Sequence, residues 1–127
     1  MILKDDFLRV AGRPLEEVVS ELHLKEESYA RVLKISVMTT EQSILELATA
    51  VGADDRLKAQ RIAHDLKGVF GNLRIEPLAR MAIEIETQAK SAAGSMWESF
   101  EQFSGKFDAL KNVFQKEGAS HVENTGR

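Results

Sequence analysis

Cysteine is absent from this chain, so neither a disulfide nor a thiolate metal site can hold it together, and a reducing compartment suits it. Proline is scarce: Pro14 and Pro77 are the only 2 in 127 residues, which leaves long stretches free of helix breakers. No apolar run approaches the roughly 18 residues that a membrane span requires. Nor is there an excess of positive charge. The 17 basic residues against 20 acidic ones give a formal charge of -3, which argues against the basic face that nucleic acid demands. Asp5, Asp6 and Arg9 come too early for residues 1–12 to read as a secretory signal. The expectation is a cytoplasmic protein with neither a nucleic-acid nor a membrane partner.

What is present is a globular balance, 43% apolar and 29% charged. The length fits one domain with one core. Helix-favouring residues fill nearly every window, and no segment alternates with strand period. The expected fold is all-α: an antiparallel up-and-down four-helix bundle with one or two short N-terminal helices packed on it. Residues 1–118 form the helical domain in this reading, and 119–127 a frayed polar tail.

Short helices are expected over residues 5–11, ended by Gly12, and over 14–24, opened by Pro14 with Glu16 and Glu17 near its positive end. A long helix follows from Glu27 to Val51, with Val32, Ile35, Val37, Ile44, Leu47, Ala48 and Val51 as its apolar stripe. Thr39 and Thr40 mark a potential break. After the turn at 52–55, Asp54 or Asp55 is placed to cap a helix over 55–73. Residues 74–77 turn again, and a helix runs from Pro77 to about Ser91, with Leu78, Met81, Ala82, Ile85 and Ala89 inward. A third turn at 92–95 leads to the last helix, whose Trp97, Phe100, Phe103, Phe107, Leu110 and Phe114 recur at the spacing of one buried face.

The helix over 55–73 contains AHDLKGVFG, residues 63–71. Each glycine inside a helix costs about 1 kcal/mol relative to alanine, so Gly68 and Gly71 beside His64 call for a reason. On a helical wheel Lys67, Gly68 and Gly71 fall within about 60° of His64, and Gln60 and Arg61 join that arc. Ile62, Leu66, Val69 and Leu73 lie opposite, flanked by Ala59 and Phe70. The core stripe is thus complete without His64, which should face outward. Glycines on that arc remove side-chain bulk, so a second macromolecule can bring a reactive group close to the imidazole. Neutral imidazole is a nucleophile near neutral pH, and Lys67 one turn away supplies a mobile cation for a phosphoryl group. The sequence shows no metal cage, acid–base pair or phosphate-cradling loop nearby, so a partner must bring the remaining machinery. Leu57 and Ile75 fall at either end of the same arc and are expected as an apolar docking ring; the alternative is that the helix ends before Ile75, or that the N-terminal helices cover Leu57. Gln60 and Arg61 are polar rim contacts in this reading, or simply a solvated face. His23 and His121 lack comparable surroundings and are read as structural or incidental.

The run AHDLKGVFGNLRIEPLARMAIEIE, residues 63–86, resembles the signature of histidine-containing phosphotransfer (HPt) domains, the relay modules of two-component signalling. Ala63, His64, Lys67, Gly68 and Gly71 match the family pattern, and Glu86 corresponds to an acidic residue common on the following helix. The likeness is specific over about residues 52–86 and architectural elsewhere. It implies that His64 is the phosphoacceptor, taking a phosphoryl group from one receiver-domain aspartate and passing it to another. Lys67 would stabilise the phosphate charge. The receiver would bring its aspartate, its lysine and Mg²⁺, and the chain itself would hold no cofactor or metal. One departure stands out: where the family often has glycine ten residues after the histidine, this chain has Arg74, which alters the turn or adds a positive group. The same resemblance fits a free-standing relay protein and the phosphoacceptor domain of a chemotaxis-type or hybrid histidine kinase. Two further readings are a catalytically silent helical adaptor, opposed by the intact His64, Lys67 and Gly68, and a metal-binding bundle enzyme, opposed by the lack of a Glu-x-x-His pair.

Overall fold

A computed structural model describes residues 1–91 and 94–114, so the expected tail at 119–127, His121 and the first half of the turn at 92–95 lie outside the described residues. Six helices follow in order: α1 (Lys4–Ala11), α2 (Leu15–Leu22), α3 (Glu26–Gly52), α4 (Arg56–Asn72), α5 (Glu76–Ser91) and α6 (Trp97–Lys111). Helix α4 packs on α3 and α5, and α6 also packs on α3 and α5. This is the square of an antiparallel four-helix bundle, with α3 diagonal to α5 and α4 diagonal to α6. Phe70 of α4 crosses the centre and meets Phe103 and Phe107 of α6 edge to face, at centroid distances of 5.9 and 6.2 Å.

Turn chemistry sets the helix ends. Gly12 stops α1 in the left-handed region at φ 76°, and its N–H donates to the Leu8 carbonyl. Pro14, at φ -67°, precedes α2, and His23 ends it at φ 58°. Helices α1 and α2 close the end of the bundle where α3 and α5 begin. Leu3 donates its N–H to the Val113 carbonyl at 2.6 Å, and Lys4 pairs with Glu16 and Glu26.

The expected break in α3 does not occur. The hydroxyl of Thr40 donates to the Ser36 carbonyl at 2.7 Å, and that of Thr39 to the same carbonyl at 3.2 Å, so both polar groups are satisfied inside a continuous helix. The buried stripe is Tyr29, Leu33, Val37, Thr40, Ile44, Leu47, Ala50 and Val51. Val32 and Ile35, expected inside, are exposed. The true stripe runs through Thr40, and that polar residue conceals the register. In α6, Phe100, Phe103, Phe107 and Leu110 are buried as expected, but Trp97 is exposed, because Met96 just before the helix takes the interior place. Phe114 lies beyond α6 and is half-buried beside the short bridge between it and Ile2.

One buried polar contact ties the capped end together. Tyr29 of α3 is fully buried, and its hydroxyl donates to the Leu73 carbonyl at the end of α4 over 2.6 Å. Burial pushes the phenol pKa far above its ordinary value. The carbonyl belongs to a helix end that has no intrahelical donor left for it. Replacing Tyr29 with Phe should cost about 1–3 kcal/mol, the penalty of a buried acceptor left unpaired. Urea denaturation with an unchanged m-value would report it, and a loss below the error of the measurement would refute the assignment.

Candidate functional site

Helix α4 is fixed at both ends. Asp55 caps it, accepting the Lys58 N–H at 3.3 Å. The guanidinium of Arg56 donates to the Gln88 and Gly94 carbonyls, each at 2.8 Å, and pins the start of α4 to the end of α5. Small residues dominate the seam between them: Ala59 and Ala63 on α4 and Ala82 on α5 are fully buried, and Ala89 nearly so. Such a seam lets two helix axes come close. The interior side of α4 is therefore Ala59, Ala63, Leu66 and Phe70, whereas Ile62 and Val69 are only half-buried. Relative to the expected stripe, the helix is rolled by roughly 50°. The roll brings His64 from the outermost position of α4 to the rim of its groove with α5.

There the His64 side chain is 60% exposed, and its Nδ1 lies 3.0 Å from Oε2 of Glu86 on α5. Glu86 is buried at the floor of the groove. Lys67 Nζ lies 3.6 Å from its Oε1, and Lys90 Nζ 3.6 Å from its Oε2. Burial works to raise the Glu86 pKa, but the hydrogen bond from His64 and the charges of Lys67 and Lys90 outweigh it, so the carboxyl stays below its ordinary value. An ionised carboxylate only accepts hydrogen bonds. With the carboxylate as acceptor, Nδ1–H is the donor, and Nε2 is the ring nitrogen left open toward solvent.

The residues singled out in the sequence divide into two sets. His64, Lys67, Gln60, Gly68 and Gly71 all lie on the side of α4 that borders α5 or solvent, with Gly68 exposed and Gly71 half-buried. A Cβ built at either glycine meets nothing within 4 Å, so neither glycine serves packing within the chain. Arg61 is exposed, and Leu57 is 61% exposed two turns before the histidine. Ile75 does not belong with them: it is fully buried. Helix α4 ends at Asn72, and Arg74 takes a left-handed φ of 63°, which turns the chain so that Ile75 enters the core. The docking ring therefore loses Ile75.

Arg74 occupies the backbone conformation that glycine adopts most easily, which accounts for glycine as the usual residue there. Its guanidinium donates to Glu21 of α2 at 2.8 Å and to the Gly71 carbonyl at 3.1 Å. Glu21 also accepts from Arg13 at 3.0 Å. The side chain of Arg74 is thus committed to the N-terminal cap rather than to the groove. Lys90 was not singled out from the sequence, and Glu86 only as a correspondence. The signal that finds them is hairpin symmetry: His64 and Glu86 stand eleven residues before and after Ile75 at the turn. The described residues contain no group of three or more His, Asp or Glu side chains placed to hold a metal ion, and no helix among them is long and apolar enough to cross a membrane.

Residues 31–117 match the family model described as the Hpt domain. Comparison with curated proteins and with solved structures finds no match.

The lowered pKa of Glu86 carries a sign that can be checked. A carboxyl with a folded pKa below its unfolded value adds stability at higher pH, and that stability is lost as pH falls through the folded value. The contribution of Glu86 should be complete above its reference value of 4.5 and disappear at more acidic pH. Glu86→Gln should therefore be less stable than wild type at neutral pH, with the gap narrowing below about pH 4. Thermal unfolding of both proteins across pH 3–7 measures this, and a pH-independent gap would contradict it.

Proposed function

This chain belongs to the Hpt domain family, and from that membership we propose that it relays phosphoryl groups between receiver-domain aspartates through a phosphohistidine at His64. Phosphotransfer in two-component signalling is the role of the family. The relay through this histidine, and receiver domains as its partners, are our reading of the site. One observation carries it. The buried Glu86 carboxyl lies 3.0 Å from Nδ1 of an exposed imidazole, and the neighbouring surface at Gly68 and Gly71 is bare.

In the transfer step the Nε2 lone pair attacks the phosphorus of an aspartyl phosphate. The N–P bond forms, the P–O bond to the aspartate breaks, and the aspartate leaves as a carboxylate. No proton has to move, because Nδ1 keeps its hydrogen. The ring becomes positively charged as the bond forms, and Glu86 lies 3.0 Å away to balance that charge. Onward transfer reverses the step toward a second aspartate. Lys67 is held to Glu86 only by a 3.6 Å ion pair, and its flexible stem allows the ammonium to turn to the phosphoryl oxygens. Lys90 remains on Glu86 when Lys67 leaves, so the carboxylate keeps a cation beside it. The chain thus contributes a held nucleophile, a cation and an open approach, which are positioning and electrostatic effects. The acceptor and donor aspartates, and the Mg²⁺ that accompanies them, belong to the receiver. Leu57, Gln60 and Arg61 supply the surrounding contact surface, with Leu57 as its apolar member.

Incubation with a phosphorylated receiver domain tests the reading. Wild type should acquire acid-labile, base-stable label, and His64→Gln should acquire none. Label on the His64→Gln protein, or none on wild type with receivers of varied origin, would end the proposal. Two further variants separate charge from access. Lys67→Ala should slow transfer or shorten the lifetime of the phosphorylated form by about tenfold, the worth of one charge-assisted hydrogen bond. Gly68→Ala should raise folding stability by about 0.5–1 kcal/mol yet slow transfer, because the added methyl fills open space over the site. Wild-type transfer rates in both would remove these roles.

A further inference from the structure

Helix α3 turns a row of large apolar side chains to solvent. Ile35 is 61% exposed, Met38 64% and Leu45 62%, and together they exceed any other exposed apolar group on one helix. The exposed row lies opposite the buried stripe of α3. Met38 and Leu45 also line an open groove against α6, with Ile44, Phe107 and Lys111. In the square of the bundle the α3–α6 side is the one opposite the α4–α5 side that holds His64. An apolar patch there has no part in the phosphoryl site, and such patches mark interaction surfaces.

The charges around the row identify what covers it. Toward its N-terminus it carries Arg31 and Lys34, with Glu27 one turn before them, and toward its C-terminus Glu41 and Glu46. Met38 stands between the two pairs. A second copy of α3 laid antiparallel across the first, with a twofold axis at Met38, brings the Arg31–Lys34 stretch of each helix over the Glu41–Glu46 stretch of the other. Arg31 then comes within one residue of Glu46 twice, once on each side of the axis, while Met38 packs on its own counterpart, Ile35 flanks it, and Leu45 lies under the stem of the other copy's Arg31. A parallel arrangement would set like charges together. Arg31 and Glu46 have no ion-pair partner among the described residues, whereas Glu41 is shared with Lys111 at 2.9 Å. A surface complementary to itself under a twofold rotation is the requirement for a closed, isologous dimer. Antiparallel helix dipoles add to the match.

We propose that the chain self-associates through the exposed face of α3, as an antiparallel twofold dimer that leaves each His64 facing outward on the far side of its bundle. Sedimentation equilibrium of the full chain over a concentration series tests it. Wild type should show a reversible monomer–dimer equilibrium that weakens as salt rises. Leu45→Glu should be monomeric throughout. Arg31→Glu should weaken association about tenfold, since it turns both symmetry-related attractions into repulsions, and the exchange Arg31→Glu with Glu46→Arg should restore it. A wild type that stays monomeric at several hundred micromolar overturns the proposal. So does failure of the charge exchange to restore what the single reversal lost. Phosphotransfer measured on the same variants separates this face from the phosphoryl site: Leu45→Glu should transfer at the wild-type rate at concentrations where both are monomers. Slowed transfer would assign the face to a receiver and reject the dimer.

Discussion

The close seam between α4 and α5 governs the rest of this molecule. Alanines at 59, 63, 82 and 89 leave little between the two helices, and α4 rolls its small-residue side into contact. Without that roll His64 would stand alone on the outermost line of α4. With it, a carboxylate rooted in the neighbouring helix reaches the inner nitrogen of the ring. The contact therefore follows from a packing decision: methyl groups, rather than larger side chains, separate the two helices that carry the histidine and its hydrogen-bond partner.

Glu86 gains its properties from position. A carboxylate removed from water carries a desolvation cost that a single surface lysine does not offset. Here it has His64, Lys67 and Lys90 around it, and its pKa is depressed despite burial. The same cluster sets one ring nitrogen 3.0 Å from the carboxylate and the two lysines 3.6 Å from it.

Much of this was legible in the sequence. Gly, Pro and Asp turns between runs of helix formers mark the helix ends to within two residues, except that α6 stops at Lys111 and leaves Phe114 outside it, and they offer Asp54 or Asp55 as the cap that Asp55 provides. Periodicity placed His64 away from the core of α4, but it missed the roll that turns Ala59, Ala63 and Phe70 inward in place of Ile62 and Val69, because alanine carries little weight in an apolar stripe. The failures have physical causes. Ile75 lies past a residue in the left-handed region, and a wheel extended through such a residue loses its meaning. Val32 and Ile35 look like core residues, but the stripe follows Tyr29 and Thr40, two polar-tipped residues that satisfy their hydroxyls on carbonyls. Trp97 lost its interior place to a methionine one position earlier. Lys90 and the full part of Glu86 depend on register between helices, which periodicity within one helix does not contain. Counting outward from the turn at Ile75 would have supplied it.

Arg74 links parts of the chain that are distant in sequence. It holds a turn that glycine would hold more easily, and it does so while reaching Glu21 of α2, which Arg13 also grips. The hinge of the α4–α5 hairpin is thereby fastened to the N-terminal cap. Loosening α1 and α2 removes this contact from the turn that ends the helix carrying the imidazole. A lid built from the first two dozen residues is thus joined, through one arginine, to the helix of an imidazole it never touches.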